Sequence, residues 1–273
     1  MGRGPEGRGL LNAREREWAP LLQGVSLVAE GEVATELSHE AAAALGTVYA
    51  SHRHTPLKQK LRIFRFWPAC VSVALAGVAA TEYEDNTFWP ALWKIAEYAG
   101  SPQDQTVWGQ AFTQSLTQLG LPAFSGIGKT YLGPILMHAG IPSNCLGDLL
   151  RLLLEQAKRD PGLDADSFMS WALSGQRRLA ALHKPVQRFL LNGGEYAHDT
   201  LDRIMLLLSR LHDPEPDLFG IGLPERLVAE AMSLVERKVL HLSARHRWAP
   251  SRPAQPRLML DPLGGGPVVA LPP

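Results

Sequence analysis

The sequence predicts an all-α fold, on three observations. Apolar residues recur at helical spacing through most of the chain. Gly, Pro and Asn cut that pattern into helix-length pieces. No repeat of 30 to 50 residues returns with a shared signature, so the helices do not form a solenoid. The expected architecture is an irregular multi-helix domain over residues 36–245. A flexible N-terminal arm precedes it over 1–35. A Pro/Gly-rich segment follows over 246–273, as a linker and the possible start of a further β-rich domain.

The arm, "MGRGPEGRGLLNAREREW", has basic residues but no apolar stretch behind them, so it does not read as a secretory signal. "SHEAAAALGTVYASH" and "TPLKQKLRIFRF" are each one helix long. "FWPACVSVALAGVAAT" is the most apolar run, yet it is shorter than the roughly 20 residues that span a bilayer and contains Pro68, Ser72 and Gly77. It reads as a buried core helix, and no membrane partner is expected. "NTFWPALWKIAEYAG" and "DQTVWGQAFTQSLTQLG" follow. Trp89 and Trp93 lie four apart on one face, which assigns the cluster Phe88, Trp89, Trp93, Tyr98 and Trp108 to the core.

"LGDLLRLLLEQAKRD" sets Leu146, Leu149, Leu150, Leu153 and Leu154 against Arg151, Glu155 and Lys158, the pattern of an amphipathic helix capped by Ser143 or Asn144. "HDTLDRIMLLLSRLHD" turns Leu201, Ile204, Met205 and Leu208 inward. "LPERLVAEAMSLVERKVLHL" keeps Leu227, Ala231, Leu234 and Val235 in register. In the tail, "RLML" and "VVAL" flank Gly264 to Gly266 and are expected to pair as a β-hairpin.

Length and charge bound the function. A chain of 273 residues buries a core without disulfides. Its two cysteines, Cys70 and Cys145, sit in apolar stretches, which points to free thiols and a cytoplasmic protein. Basic and acidic residues balance at 27 each, so no global field draws the chain to nucleic acid. Such binding needs a local patch. One candidate is Arg53, Lys58, Lys60, Arg62 and Arg65. The other runs from Arg237 to Arg257 and carries Lys238, Arg245, Arg247 and Arg252.

The letters GKT at Gly128 to Thr130 resemble the end of a phosphate-binding loop but fail its requirements. Ala123 stands where the first loop glycine is needed, and the sequence upstream is polar at helical spacing rather than a strand. Two Glu-x-x-His spacings, Glu36 to His39 and Glu195 to His198, put both side chains on one helix face, as di-iron bundles require. They lie at opposite ends of the domain, and no metal or other cofactor is expected. Two cysteines are too few for a cysteine zinc site.

Arg178 and His183 have the Arg-x4-His spacing used by helical HEPN ribonucleases, where arginine stabilises phosphate charge and histidine helps activate a ribose hydroxyl. So short a match carries no family resemblance. "RFLLNGGEYAHDTLDR" brings Asn192, Glu195, His198 and Asp199 to a helix boundary, where partner contacts are plausible chemistry. The simpler reading of "NGGE" is a helix end followed by a new helix whose first turn carries Glu195.

The resulting expectation is a non-catalytic binding or scaffolding module of a larger bacterial protein. Its partner would be another protein or an adjacent domain of the same chain. The bacterial origin rests on an Ala-, Leu- and Arg-rich composition. Nucleic-acid binding through residues 53–65 is the alternative, and a HEPN-like ribonuclease the second alternative. The first reading ranks ahead of nucleic-acid binding because the net charge is zero and Phe64, Phe66 and Trp67 draw the basic segment towards the core.

The GKT segment generates the first test. Calorimetric titration with ATP or GTP is expected to show no specific binding, in the parent chain and in Lys129→Ala alike. A micromolar dissociation constant abolished by Lys129→Ala would establish a phosphate loop.

Overall fold

The structure, a computed structural model, describes residues 3–31, 33, 35–52, 54–124, 131–211, 213, 216–240, 242, 257–260 and 267–270. The fold is all-α. The stretch expected as one helical domain divides into two compact units, Met1–Pro142 and Ser143–Pro273.

The first unit is built around helix α4 (Pro68–Thr81), joined by α1 (Arg3–Leu21), α2 (Thr35–Ala50), α3 (Leu57–Ile63), α5 (Trp89–Ile95), α6 (Pro102–Leu119) and α7 (Leu132–His138). Helix α4 is apolar all round, so it is stable only when covered on every side. Its residues from Ala69 to Ala76 and from Val78 to Ala80 are buried. Small side chains let the neighbours approach closely. A Cβ on Gly77 would run into the Ser38 side chain of α2, and one on Gly46 of α2 would run into the backbone oxygen of Ala96.

The N-terminal segment expected to be a flexible arm is instead α1, with Leu11 and Trp18 fully buried. Polar groups fix it as much as apolar ones. The Glu15 carboxylate accepts hydrogen bonds from the backbone N–H of Ala69 and of Cys70, each at 3.0 Å. It thereby caps the first turn of α4, whose amides have no partner within the helix. Burial pushes the Glu15 carboxyl up, and the two amide hydrogen bonds oppose that rise. Asn12 accepts from Trp67 Nε1 at 2.7 Å, just ahead of the same helix start.

Helix α6 begins two residues ahead of the expected stretch, at Pro102. Ser101 and Asp104 form a capping box, Pro102 occupies the first turn, and Gly120 closes the helix at φ 73°. Of the aromatic cluster, Phe88, Trp89 and Trp108 are core as expected, whereas Trp93 and Tyr98 are half-buried at its edge; the Trp108 ring centroid lies 5.5 Å from Tyr49 and 5.7 Å from Trp93.

At the end of α7, His138 joins two distant turns. Its Nδ1 accepts from the Val28 N–H at 3.2 Å, and its Nε2 meets the Pro122 carbonyl at 2.8 Å. These partners assign a neutral ring protonated at Nε2. The rings of Phe112 and Phe124 lie 5.6 Å and 5.3 Å away. Burial pulls the pKa of the ring down to about 4, against the hydrogen bond to Pro122.

The second unit packs α8 (Leu146–Arg159), α9 (Ala165–Leu173), α10 (Gln176–Leu179), α11 (Lys184–Asn192), α12 (Gly194–Arg210) and α13 (Glu225–Glu236). Most of the expected apolar faces are buried: Leu149, Leu150 and Leu153 on α8, Leu201, Ile204, Met205 and Leu208 on α12, Leu227, Ala231 and Leu234 on α13, where Val235 is half-buried. The N-cap of α8 is Cys145, after a 3₁₀ turn over Ser143–Cys145, and neither Ser143 nor Asn144 caps it. Asn192 ends α11, and Gly194 opens α12 at φ 53° with Glu195 in the first turn. Strands β1 (Arg257–Leu260) and β2 (Pro267–Ala270) pair antiparallel as the expected hairpin, with Arg257 opposite Ala270.

His138 makes stability depend on pH. Above about pH 6.5 the ring is neutral whether the chain is folded or not, and its contribution is complete. Between about 6.5 and about 4 the unfolded chain takes up a proton that the folded ring refuses, so stability falls, by roughly 3 kcal/mol in the limit. Unfolding free energies from urea titrations at pH 7 and pH 5 are expected to show about 2 kcal/mol of this loss. His138→Gln, which retains a donor and an acceptor, is expected to be less stable at pH 7 but to lose less between the two pH values.

Candidate functional site

The basic segment 51–67 carries no aspartate or glutamate. Pro56, at φ −55°, starts α3 without a side-chain cap, and the helix tightens into a 3₁₀ turn over Phe64–Phe66. Trp67 precedes Pro68, a position that disfavours helical backbone, and it adopts φ −137°, ψ 57°. The chain therefore breaks here, and the following helix leaves at a bend of 100°.

The break gives α3 a buried and an open side. On the buried side Phe64 stacks on Tyr49 at 5.6 Å, and Lys60 is only 6 % exposed. Lys60 Nζ lies 3.6 Å from Asp104 Oδ1 and 4.7 Å from the centre of the Tyr49 ring. Asp104 also accepts from Tyr49 Oη at 2.6 Å, from Tyr98 Oη at 3.3 Å and from the N–H of Ser101 at 3.0 Å. Burial alone would raise the Asp104 carboxyl. The hydrogen bonds from Ser101 and Tyr49, helped by the Lys60 charge, hold it below its ordinary value. Burial and the adjoining Asp104 push the Tyr49 phenol well up.

The open side carries Lys58, Arg62 and Arg65, all exposed, at helical positions i, i+4 and i+7. Among the described residues none of the three forms an ion pair. The expectation that Phe66 turns to the core is corrected: Phe64 and Trp67 are buried, but Phe66 is 74 % exposed. Trp67 already fills the inward position, tied to Asn12. Lys60 is likewise withdrawn from the candidate phosphate contacts, because Asp104 holds it inside. Arg53 lies outside the described residues. Beside Phe66, an open depression of about 330 Å³ is lined by Arg8, Asn12, His52, Ile63, Phe66 and Trp67. Sequence reasoning missed Arg8 and Asn12, since both belong to the segment taken as an arm.

The other candidates are engaged elsewhere. Arg178 Nη1 donates to the Trp171 carbonyl at 2.6 Å and to Ser174 Oγ at 2.9 Å, with its guanidinium 4.7 Å over the Trp171 ring. His183 is the N-cap of α11, and its Nε2 lies 3.1 Å from Asp148 on α8. The two residues thus stand on different elements with different partners. His198 Nδ1 lies 2.8 Å from Asp166, and Asp199 pairs with Arg203 at 3.1 Å. Asn192 and Glu195 are exposed, and Asn192 donates to the Arg188 carbonyl at 2.9 Å. His39 faces Thr81 at 3.1 Å and Glu82 at 3.6 Å. In the second basic patch Arg237 pairs with Glu230 at 3.2 Å, while Arg245, Arg247 and Arg252 lie outside the described residues.

Among the described residues no group of three His, Cys, Asp or Glu side chains is placed to hold a metal, and no single helix is long and apolar enough to cross a membrane. Both cysteines are free and buried, and burial raises their thiols, that of Cys145 to about 12. The GKT segment lies outside the described residues, and the element before it is helix α6 rather than a strand. No protein-family profile, curated protein or solved structure matches the chain.

The split of α3 into two sides generates a paired test. Lys60→Ala strips a buried carboxylate of its charge partner and is expected to destabilise by about 3 kcal/mol. Lys58→Ala, Arg62→Ala and Arg65→Ala, at exposed positions, are each expected to change stability by less than about 0.5 kcal/mol. Urea unfolding of the four variants checks the contrast.

Proposed function

We propose that the chain is a non-catalytic binding module that takes nucleic acid on the open side of α3 and the turn that follows it. The observation that carries this reading is the exposure of Lys58, Arg62 and Arg65 on one face of an acid-free segment. Cations without acidic neighbours are free to neutralise phosphates, and release of the counterions held there supplies the binding free energy. With 27 basic and 27 acidic residues overall, attraction acts only at close range, within a Debye length of roughly 8 to 10 Å.

Two observations move this reading ahead of the protein-scaffold reading. Phe66 projects from the basic segment instead of pulling it inward. Of the four residues that pointed to a protein partner, Asp199 is paired with Arg203, and His198 Nδ1 lies 2.8 Å from Asp166. The ribonuclease alternative gains no support, because Arg178 and His183 stand on different elements and face different partners.

Anisotropy of a fluorescein-labelled oligonucleotide, measured from 50 to 300 mM salt, tests the proposal. Three phosphate contacts are expected to give a log–log slope of about −2 on a single strand and somewhat steeper on duplex DNA. The double variant Lys58→Ala/Arg62→Ala is expected to remove about two-thirds of that slope. Binding that ignores salt, or that survives the double variant, would overturn it.

A further inference from the structure

We propose that the nucleic acid is single-stranded and that one base stacks on Phe66, over the depression beside it. This rests on the phosphate-binding reading of α3 and adds to it the class of strand and the contact that selects it.

A duplex hides the faces of its bases, so an exposed ring among phosphate-binding cations gains nothing from it. A single strand presents those faces, and aromatic stacking beside a basic track is how such strands are held without regard to sequence. Phe66, at 74 % exposed, is among the most exposed large apolar side chains described. It has a firm backing: the Trp67 ring lies 6.0 Å away at 61°, is buried, and is fixed by its hydrogen bond to Asn12.

The depression has the size and polarity for one nucleotide. Its volume of about 330 Å³ falls at the lower end of small-ligand clefts, roughly 300 to 1,000 Å³. Asn12 Oδ1 is occupied by the Trp67 N–H, which leaves its amide nitrogen as the donating end. His52 Nδ1 lies 2.9 Å from both Ser51 Oγ and the Val48 carbonyl; a carbonyl only accepts, so Nδ1 is the donor, and in that tautomer Nε2 is an acceptor. With Arg8 as a further donor, the rim offers both halves of a base-edge contact next to the stacking ring.

The test uses the full chain, a fluorescein-labelled dT15, a 15-base-pair duplex, and phosphatidylserine vesicles. Phe66→Ala is expected to weaken dT15 binding by roughly 5- to 100-fold. Its duplex affinity and its salt slope are expected to be unchanged, and Phe66→Trp is expected to retain dT15 binding. Circular dichroism melts of the variants establish that the fold is kept, and retention by Phe66→Trp separates stacking from a packing defect. Equal dT15 binding by Phe66→Ala and the parent, with the slope intact, would overturn the stacking inference and leave the phosphate reading standing. Equal losses on dT15 and duplex would also overturn it. Absence of oligonucleotide binding would overturn both. Vesicle binding lost in Phe66→Ala, without oligonucleotide binding, would assign Phe66 to a lipid surface instead.

Discussion

Helix α4 lacks a polar face, and that lack governs the unit around it. Each side of the helix must be covered, and its first amides must find acceptors that a neighbour supplies. The Glu15 carboxylate meets the amides, which brings α1 onto the helix start. Glycines at Gly46 and Gly77 let α2 settle against its surroundings. The same helix start fixes the chain just ahead of it. Trp67 must leave helical backbone before Pro68, and α3 is turned outward by 100° as a result. The candidate interface is therefore a product of how α4 is capped and covered.

Charge inside the unit is handled by the same economy of partners. Lys60 and Asp104 are both nearly out of water, a placement that is unfavourable for either alone. The carboxylate also receives two phenol groups and the Ser101 backbone, so its charge is shared among several donors rather than balanced by the lysine only. Because Lys60 is anchored there, the rotation of α3 about its axis is set. Lys58, Arg62 and Arg65 then have only the outward side left to them.

Much of the helical content was legible in the sequence, because period and punctuation are local signals. The leucine face of α8 and the inward set of α12 could each be read within a single stretch. Helix α1 could not. Glu15 and Asn12 hold it by hydrogen bonds to residues more than 50 positions away, and no pattern within the segment records such partners. A faint signal was present in Leu11, Trp18 and Leu22, which share a face and are fully buried. Within the candidate site, the run of basic residues was visible at once. Which of them is buried was not: Lys60 and Lys58 are chemically alike, and only Asp104, more than 40 positions on, separates them. The outward turn of Phe66 depends on Trp67 having already taken the inner place.

The contact of α2 with its neighbours carries a consequence for how this chain can vary. At Gly46 the side chain is already as small as chemistry permits, and the opposing atoms at Ala96 include the backbone oxygen and Cα. Elsewhere in a core, a gain in volume at one residue is relieved by a loss at another. Trimming offers little relief at Gly46, where the chain itself stands opposite, whereas across Gly77 the opposing atoms belong to the Ser38 side chain. Growth at Gly46 can be absorbed only by moving α2 or the backbone at Ala96, and α2 lies against α4, which is capped at its start and enclosed along its length. Lineages of this fold should therefore diverge at the surface and in the leucine faces long before they diverge at Gly46.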